Sequence, residues 1–192
     1  MIIDVGIVIG SLRQGSVSRK VAAALTKHTP EPLKLSCVEI GGLESYNEDL
    51  EQREPASWVA LRASVARRDA LLFVTPEYNR SLPGILKNAL DVGSRPAGKN
   101  VWSSKPACVV SLSGGALGGF GAQHHLRQIL AGLNVAVMPG PEVYLSKASA
   151  LFDDAGELIS VDTAIFLSAF MTKFRDWARH HYANAPIGLS LA

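Results

Sequence analysis

Apolar, strand-like runs alternate with helical patterns along the whole chain, and this alternation constrains the fold more than any other feature. Residues 2–9, 33–40, 70–74 and 107–112 read as strands, and residues 135–138 open a fifth. Helical patterns cover residues 18–27, 55–68, 85–93, 122–133 and 163–182. In the last of these, Ile165, Leu167, Phe170, Met171, Phe174 and Trp177 fall largely on one stripe, expected to face the core. Strands that alternate with helices predict a parallel sheet covered on both faces, an α/β three-layer sandwich. Five such strands fit the flavodoxin-like order 2-1-3-4-5 and a Rossmann half equally well, so the loops must decide.

The loop that says most is Thr75-Pro-Glu-Tyr-Asn-Arg-Ser-Leu-Pro-Gly84, which directly follows the third strand. The carboxyl end of a buried strand is where open α/β sheets bind ligands. Pro76 and Pro83 stiffen it, and Glu77, Tyr78 and Asn79 present an anion, an aromatic face and an amide. That set suits a flat heteroaromatic ring; an ordinary strand-to-helix turn built on Pro and Asn uses the same residues.

The first loop, Gly10-Ser-Leu-Arg-Gln-Gly-Ser-Val-Ser18, combines the hydroxyls of Ser11, Ser16 and Ser18 with the Arg13 guanidinium and the N-terminus of a helix beginning near Ser18. This is an anion site, or else a Ser-rich helix cap. It lacks the second glycine of a dinucleotide fingerprint, and Ser16 stands where a Walker A loop has lysine, so a single phosphate monoester fits better than a triphosphate. The third loop, Ser111-Leu-Ser-Gly-Gly-Ala-Leu-Gly-Gly-Phe-Gly121, has five glycines that allow a ligand to approach the backbone. In the order 2-1-3-4-5 the three loops leave neighbouring strands and converge beside the switch point. One phosphate site and two ring loops describe a pocket for flavin mononucleotide (FMN).

On these residues the chain resembles the NADPH-dependent FMN reductases, in particular their quinone, chromate and azo-dye reductase branch. That family carries GSLRxxSxxxxxA, PEYNxSxPGxLKNAxD and SxGxxGG loops, all present here in order over residues 2–145. The resemblance implies a flavodoxin-like fold, non-covalent FMN, NAD(P)H as co-substrate and a homodimer or homotetramer. It implies that Ser11, Arg13, Ser16, Val17 and Ser18 hold the phosphate. Pro76, Glu77, Tyr78 and Asn79 would then line the ring and ribityl chain, and Ser113, Gly114 and Gly115 the far edge. Many relatives carry Trp after the LKNAxD aspartate, where this chain has Val92.

The reaction expected is hydride transfer from NAD(P)H through FMN to a quinone, flavin, chromate, azo dye or ferric complex, by a ping-pong route with no protein general acid. Backbone amides at Tyr78–Asn79 and Gly114–Gly115 would stabilise charge at the ring edge. A flavodoxin-like electron carrier or flavin-binding sensor is the alternative, although such carriers are strongly acidic and this chain has a pI of about 8.6.

Other features exclude classes. A net charge of +2 without a Lys/Arg block argues against nucleic acid. No apolar run reaches a membrane span, and no leader pattern precedes the first strand, so a cytoplasmic protein is expected. Cys37 and Cys108, 71 positions apart, are read as inert buried hydrophobes. His124-His125 and His180-His181 are adjacent pairs, unsuited to a shared metal on a helix, so no metal is expected. A single domain over residues 1–182 and a tail over 183–192 are expected. Within the domain, the 41–54 loop, with Tyr46, Asn47 and Leu50, is expected to wall a partner's pocket in a homo-oligomer.

Overall fold

The structure, a computed structural model, describes residues 2–183. Its elements alternate as the apolar pattern requires. The strands are β1 (Ile3–Ile9), β2 (Leu33–Val38), β3 (Ala70–Pro76), β4 (Pro106–Leu112), β5 (Ala136–Val137) and β6 (Val143–Leu145). The helices are α1 (Val17–Lys27), α2 (Ala56–Ala66), α3 (Gly84–Gly93), α4 (Phe120–Gly132) and α5 (Val161–Ala183). Short 3-10 turns occupy Glu48–Arg53 and Ala148–Leu151. All strands run parallel in the order β2-β1-β3-β4-β5, with β6 also on β4.

Strand alternation divides the interior into two cores. Val5, Ile7, Ile9, Leu72, Val74, Cys108 and Val110 point to one side, where Val21 and Leu25 of α1 meet Phe170 and Phe174 of α5. Val8, Leu71, Phe73, Ala107 and Val109 point to the other, against Trp58, Leu86, Leu90 and Leu126 of α2, α3 and α4. The central strands are buried on both faces, which is why they read as unbroken apolar runs rather than alternating ones.

Three expectations need correction. The fifth strand is not continuous: after Val137 the chain leaves through Pro139-Gly-Pro141 and returns to β4 as β6. Prolines have no N–H to donate to a ladder, so the strand breaks there. Ile165 is not in the core stripe of α5 but 65% exposed, while Leu167, Phe170, Met171 and Phe174 are buried. Cys37 is exposed because β2 is an edge strand; partial burial of its sulfur and the Glu39 carboxylate push its thiol up to about 11, so it stays protonated at neutral pH. Cys108 is buried as expected.

The 41–54 loop is anchored through several of its own side chains. Tyr46 stacks on Trp58 with ring centroids 5.6 Å apart, donates its N–H to Asn88 Oδ1 at 2.8 Å and its hydroxyl to Glu51 at 2.8 Å. Arg95 holds Glu51 in turn at 2.7 Å, and Leu50 packs half-buried against the second core. Both side chains are partly buried against their own domain. Lys87 and Asp91 form an i, i+4 ion pair, at 2.7 Å and partly exposed. The tail expected beyond Ala183 lies outside the described residues. Among the described residues, no helix is long and apolar enough to cross a membrane, and no three His, Cys, Asp or Glu side chains gather as metal ligands.

Candidate active site

The loops after β1, β3 and β4 emerge side by side, because those strands are adjacent in the sheet. Gly10 N–H donates to Val74 O at 2.8 Å and Glu77 N–H to Leu112 O at 3.3 Å, tying each loop's root to its neighbour.

In the first loop Ser11, Ser16 and Ser18 are buried, and Arg13 is exposed. Ser16 caps α1, its Oγ accepting from Arg19 N–H at 3.3 Å. A hydroxyl that accepts there still has a proton to donate outward. The amides of Val17 and Ser18 lie ahead of the first intrahelical bond, and no acidic residue occupies the first turn to offset the helix dipole. This end of α1 is built to receive an anion. A separate groove of about 490 Å³, between α1 and the turn containing Gly156 and Glu157, shares only Gln14, Gly15 and Ser16 with this loop.

The second loop holds a feature that escaped the sequence reading. Tyr78 and Ser81 exchange two backbone bonds, at 2.8 and 2.9 Å, around Asn79 (φ 50°) and Arg80 (φ 66°). Positive φ at both central residues makes this a two-residue type I′ turn. Asn tolerates that conformation; Arg does so less readily, and only the Asn was a legible signal. The turn uses the Tyr78 N–H, which therefore does not face a ring edge as expected. Glu77 differs too: its carboxylate is not free in the crevice. Glu77 Oε2 accepts from Gly121 N–H at 2.7 Å and from Ala122 N–H at 3.2 Å, capping α4.

The third loop is anchored from behind. Ser113 N–H donates to Leu145 O at 3.1 Å, while Gly115 O and Ser113 O accept from Lys147 and Ala148. Its glycines divide into two kinds. A Cβ on Gly118 would lie 2.6 Å from the Tyr144 carbonyl carbon, and one on Gly121 2.5 Å from Arg80 O, so these serve backbone packing. Gly114 has nothing within 4 Å, and for Gly115 the nearest atom, Ser113 Oγ, is at 4.0 Å. Only these two are open to a ligand. Gly114→Ala is accordingly expected to leave the melting temperature of the apo-protein unchanged within about 2 °C and to weaken flavin binding, read by fluorescence titration.

Four large apolar side chains stand exposed on these loops and the helix that follows: Leu12 (51%), Tyr78 (50%), Leu117 (56%) and Phe120 (51%). Leu12, Leu117 and Phe120 were not singled out from the sequence; a large apolar residue inside or next to a Gly/Ser-rich loop was the available signal.

A parallel sheet of this order, with a serine-capped helix terminus and an open Gly114–Gly115 backbone at its carboxyl edge, defines a flavodoxin-like α/β domain. The chain belongs to the NADPH-dependent FMN reductase family, whose model matches residues 3–150. It is 52% identical over 177 residues to a quinone reductase of Pseudomonas putida, covering 92% of this chain and 95% of that protein. A 2-hydroxy-1,4-benzoquinone reductase of a Burkholderia species is 41% identical over 93% of this chain and 98% of its own length. Among solved structures, the flavoenzyme FerB of Paracoccus denitrificans, an NAD(P)H:(acceptor) oxidoreductase, superposes with a TM-score of 0.88 at 37% identity, covering 94% and 99% of the two chains. A flavodoxin variant from Pseudomonas aeruginosa shares the fold alone, with a TM-score of 0.54 at 19% identity over 90% and 99% of the two chains. The protein is thus a flavin-dependent oxidoreductase whose cofactor is FMN and whose reductant is NAD(P)H.

Proposed function

We propose that the chain is a cytoplasmic, FMN-dependent NAD(P)H:quinone reductase in which reductant and acceptor use one crevice in turn. The open pair Gly114–Gly115, on the same sheet edge as a helix terminus with buried serines, carries the reading, because it offers backbone to a flat ring. The redox chemistry that bound FMN supplies is the passage of a hydride from NAD(P)H to a quinone or similar acceptor in two half-reactions.

The chain's own residues bind and orient. Ser11, Ser16 and Ser18, the Val17 and Ser18 amides and the Arg13 guanidinium hold the phosphate. Pro76, Asn79 and the edge of Tyr78 flank the ring on one side, and Ser113, Gly114 and Gly115 on the other. The amides of Asn79, Gly114 and Gly115 stabilise negative charge developing at the ring edge. Leu12, Leu117 and Phe120 exclude water from the mouth. A homodimer or homotetramer, with a two-fold axis near the sites, closes the open side.

Arg13→Ala is expected to weaken FMN binding by roughly 10- to 150-fold, the equivalent of about 1.5–3 kcal/mol for a charge-assisted contact. Fluorescence titration of the folded variant checks this, and unchanged affinity places the phosphate elsewhere. Because one crevice serves both substrates, steady-state double-reciprocal plots against a soluble quinone are expected to be parallel; intersecting lines with a ternary complex overturn the shared site.

A further inference from the structure

Helix α4 lacks a cap of its own. Its N-cap position is Gly119, no side chain there bonds the first turn, and that turn contains no acidic residue. The cap comes instead from 44 residues away, as Glu77 Oε2 accepts from Gly121 N–H at 2.7 Å and from Ala122 N–H at 3.2 Å. The Glu77 side chain is 11% exposed and pairs with Arg80, at 3.6 Å and 75% exposed. The approach is close because residue 121 is glycine, beside Arg80 O. A second pin lies one turn along, where His125 Nδ1 and Ser81 Oγ are 3.0 Å apart. The type I′ turn is therefore fastened to α4 at two points, and α4 is the direct continuation of the Gly-rich loop.

Two consequences follow from this geometry. First, the loops on either side of the crevice move as one body, so their separation is set by Glu77 rather than by a ligand. Second, a fixed anion occupies the positive end of α4. A helix terminus left open beside a redox ring favours the more electron-rich state of that ring, and a carboxylate seated on it removes the preference. Arg80, largely in water, offsets that charge only weakly.

Resting on the FMN reading above, we propose that Glu77 is a positioning residue with a redox consequence: it joins the two ring loops and, by occupying the end of α4, keeps the bound flavin a strong reductant. Glu77 touches the helix amides, not the reacting atoms, so its effect is separable from that of a flavin ligand.

The test compares Glu77→Gln with Glu77→Ala in FMN-loaded protein, reading thermal unfolding, FMN affinity by fluorescence titration and the two-electron midpoint potential by dye equilibration. Glu77→Gln keeps an oxygen to accept from Gly121 and Ala122 but carries no charge. It is expected to melt near the wild type, to bind oxidised FMN within about threefold, and to shift the potential upward by about 30 mV. That shift corresponds to about tenfold tighter binding of reduced relative to oxidised FMN. Glu77→Ala is expected to lower the melting temperature and to weaken FMN binding at least about tenfold. An unshifted potential in Glu77→Gln overturns the redox role, and wild-type FMN affinity in Glu77→Ala overturns the positioning role. If Glu77→Ala does not fold, the Glu77→Gln potential still decides the first point, and its FMN affinity decides the second: a loss well beyond threefold overturns it. A wild-type protein that takes up no FMN at all overturns the proposed function instead, a result distinct from these.

Discussion

Trp102→Ala is expected to destabilise the protein by about 3–5 kcal/mol, the usual loss for emptying a buried aromatic site. Trp102 is fully buried, and its Nε1–H donates to Leu90 O at 3.0 Å on the last turn of α3. The indole leans on Phe73 of β3 with ring centroids 6.1 Å apart. It also covers Gly93 so closely that a Cβ there would lie 2.3 Å from Nε1. The indole thus supports α3, whose first turn receives the Tyr78–Ser81 hairpin through Pro83. Val92, which stands where many family members have Trp, is fully buried in the same cluster as Trp102. At roughly 2–4 °C per kcal/mol for a chain of this size, calorimetry should show a fall in melting temperature of roughly 6–20 °C, with FMN uptake reduced in parallel. A loss below about 1 kcal/mol would mean that the neighbours collapse into the space, and that α3 does not depend on the indole.

Gly119→Ala is the second large effect. Gly119 has φ 83°, and an added Cβ would lie 2.9 Å from Leu112 N and 2.9 Å from Ser111 Cβ. The left-handed conformation costs a non-glycine residue about 1–2 kcal/mol, and overpacking against backbone that cannot yield adds about 1–3. A loss of about 2–5 kcal/mol is therefore expected, measured as a lowered urea midpoint. The contrast with Gly114→Ala, a few residues earlier in the same loop, is the informative part. One glycine is needed by the fold, the other only by the ligand. Equal losses of stability in both variants would contradict that division.

The regular architecture was legible because its signals are local and strong. Central strands buried on both faces must be apolar throughout, and Leu71 to Val74 or Val109 and Val110 cannot be satisfied by an exposed position. The cap of α1 was legible for a similar reason: Ser16, Val17 and Ser18 belong to the short segment that creates this helix terminus. Edges were less legible. Cys37 and Ile165 sit in apolar patterns like those of buried residues, and only the absence of a covering neighbour distinguishes them. The anchoring of Tyr46 was not legible either, since Asn88 and Trp58, which bond and stack on it, and Arg95, which holds Glu51, lie far off in sequence.

The chain's order of residues, by itself, determined which segments become strands and helices and which three loops carry chemistry, because periodicity and turn chemistry act over a few residues. The tertiary structure alone decided how those loops are used. It spent the Tyr78 amide on Ser81 and the Glu77 carboxylate on α4, and it separated Gly118, Gly119 and Gly121 from Gly114 and Gly115. Each of these depends on a partner brought close by strand order and helix packing. A residue's bonding capacity is written in its side chain, but which groups satisfy it is settled only when distant segments meet.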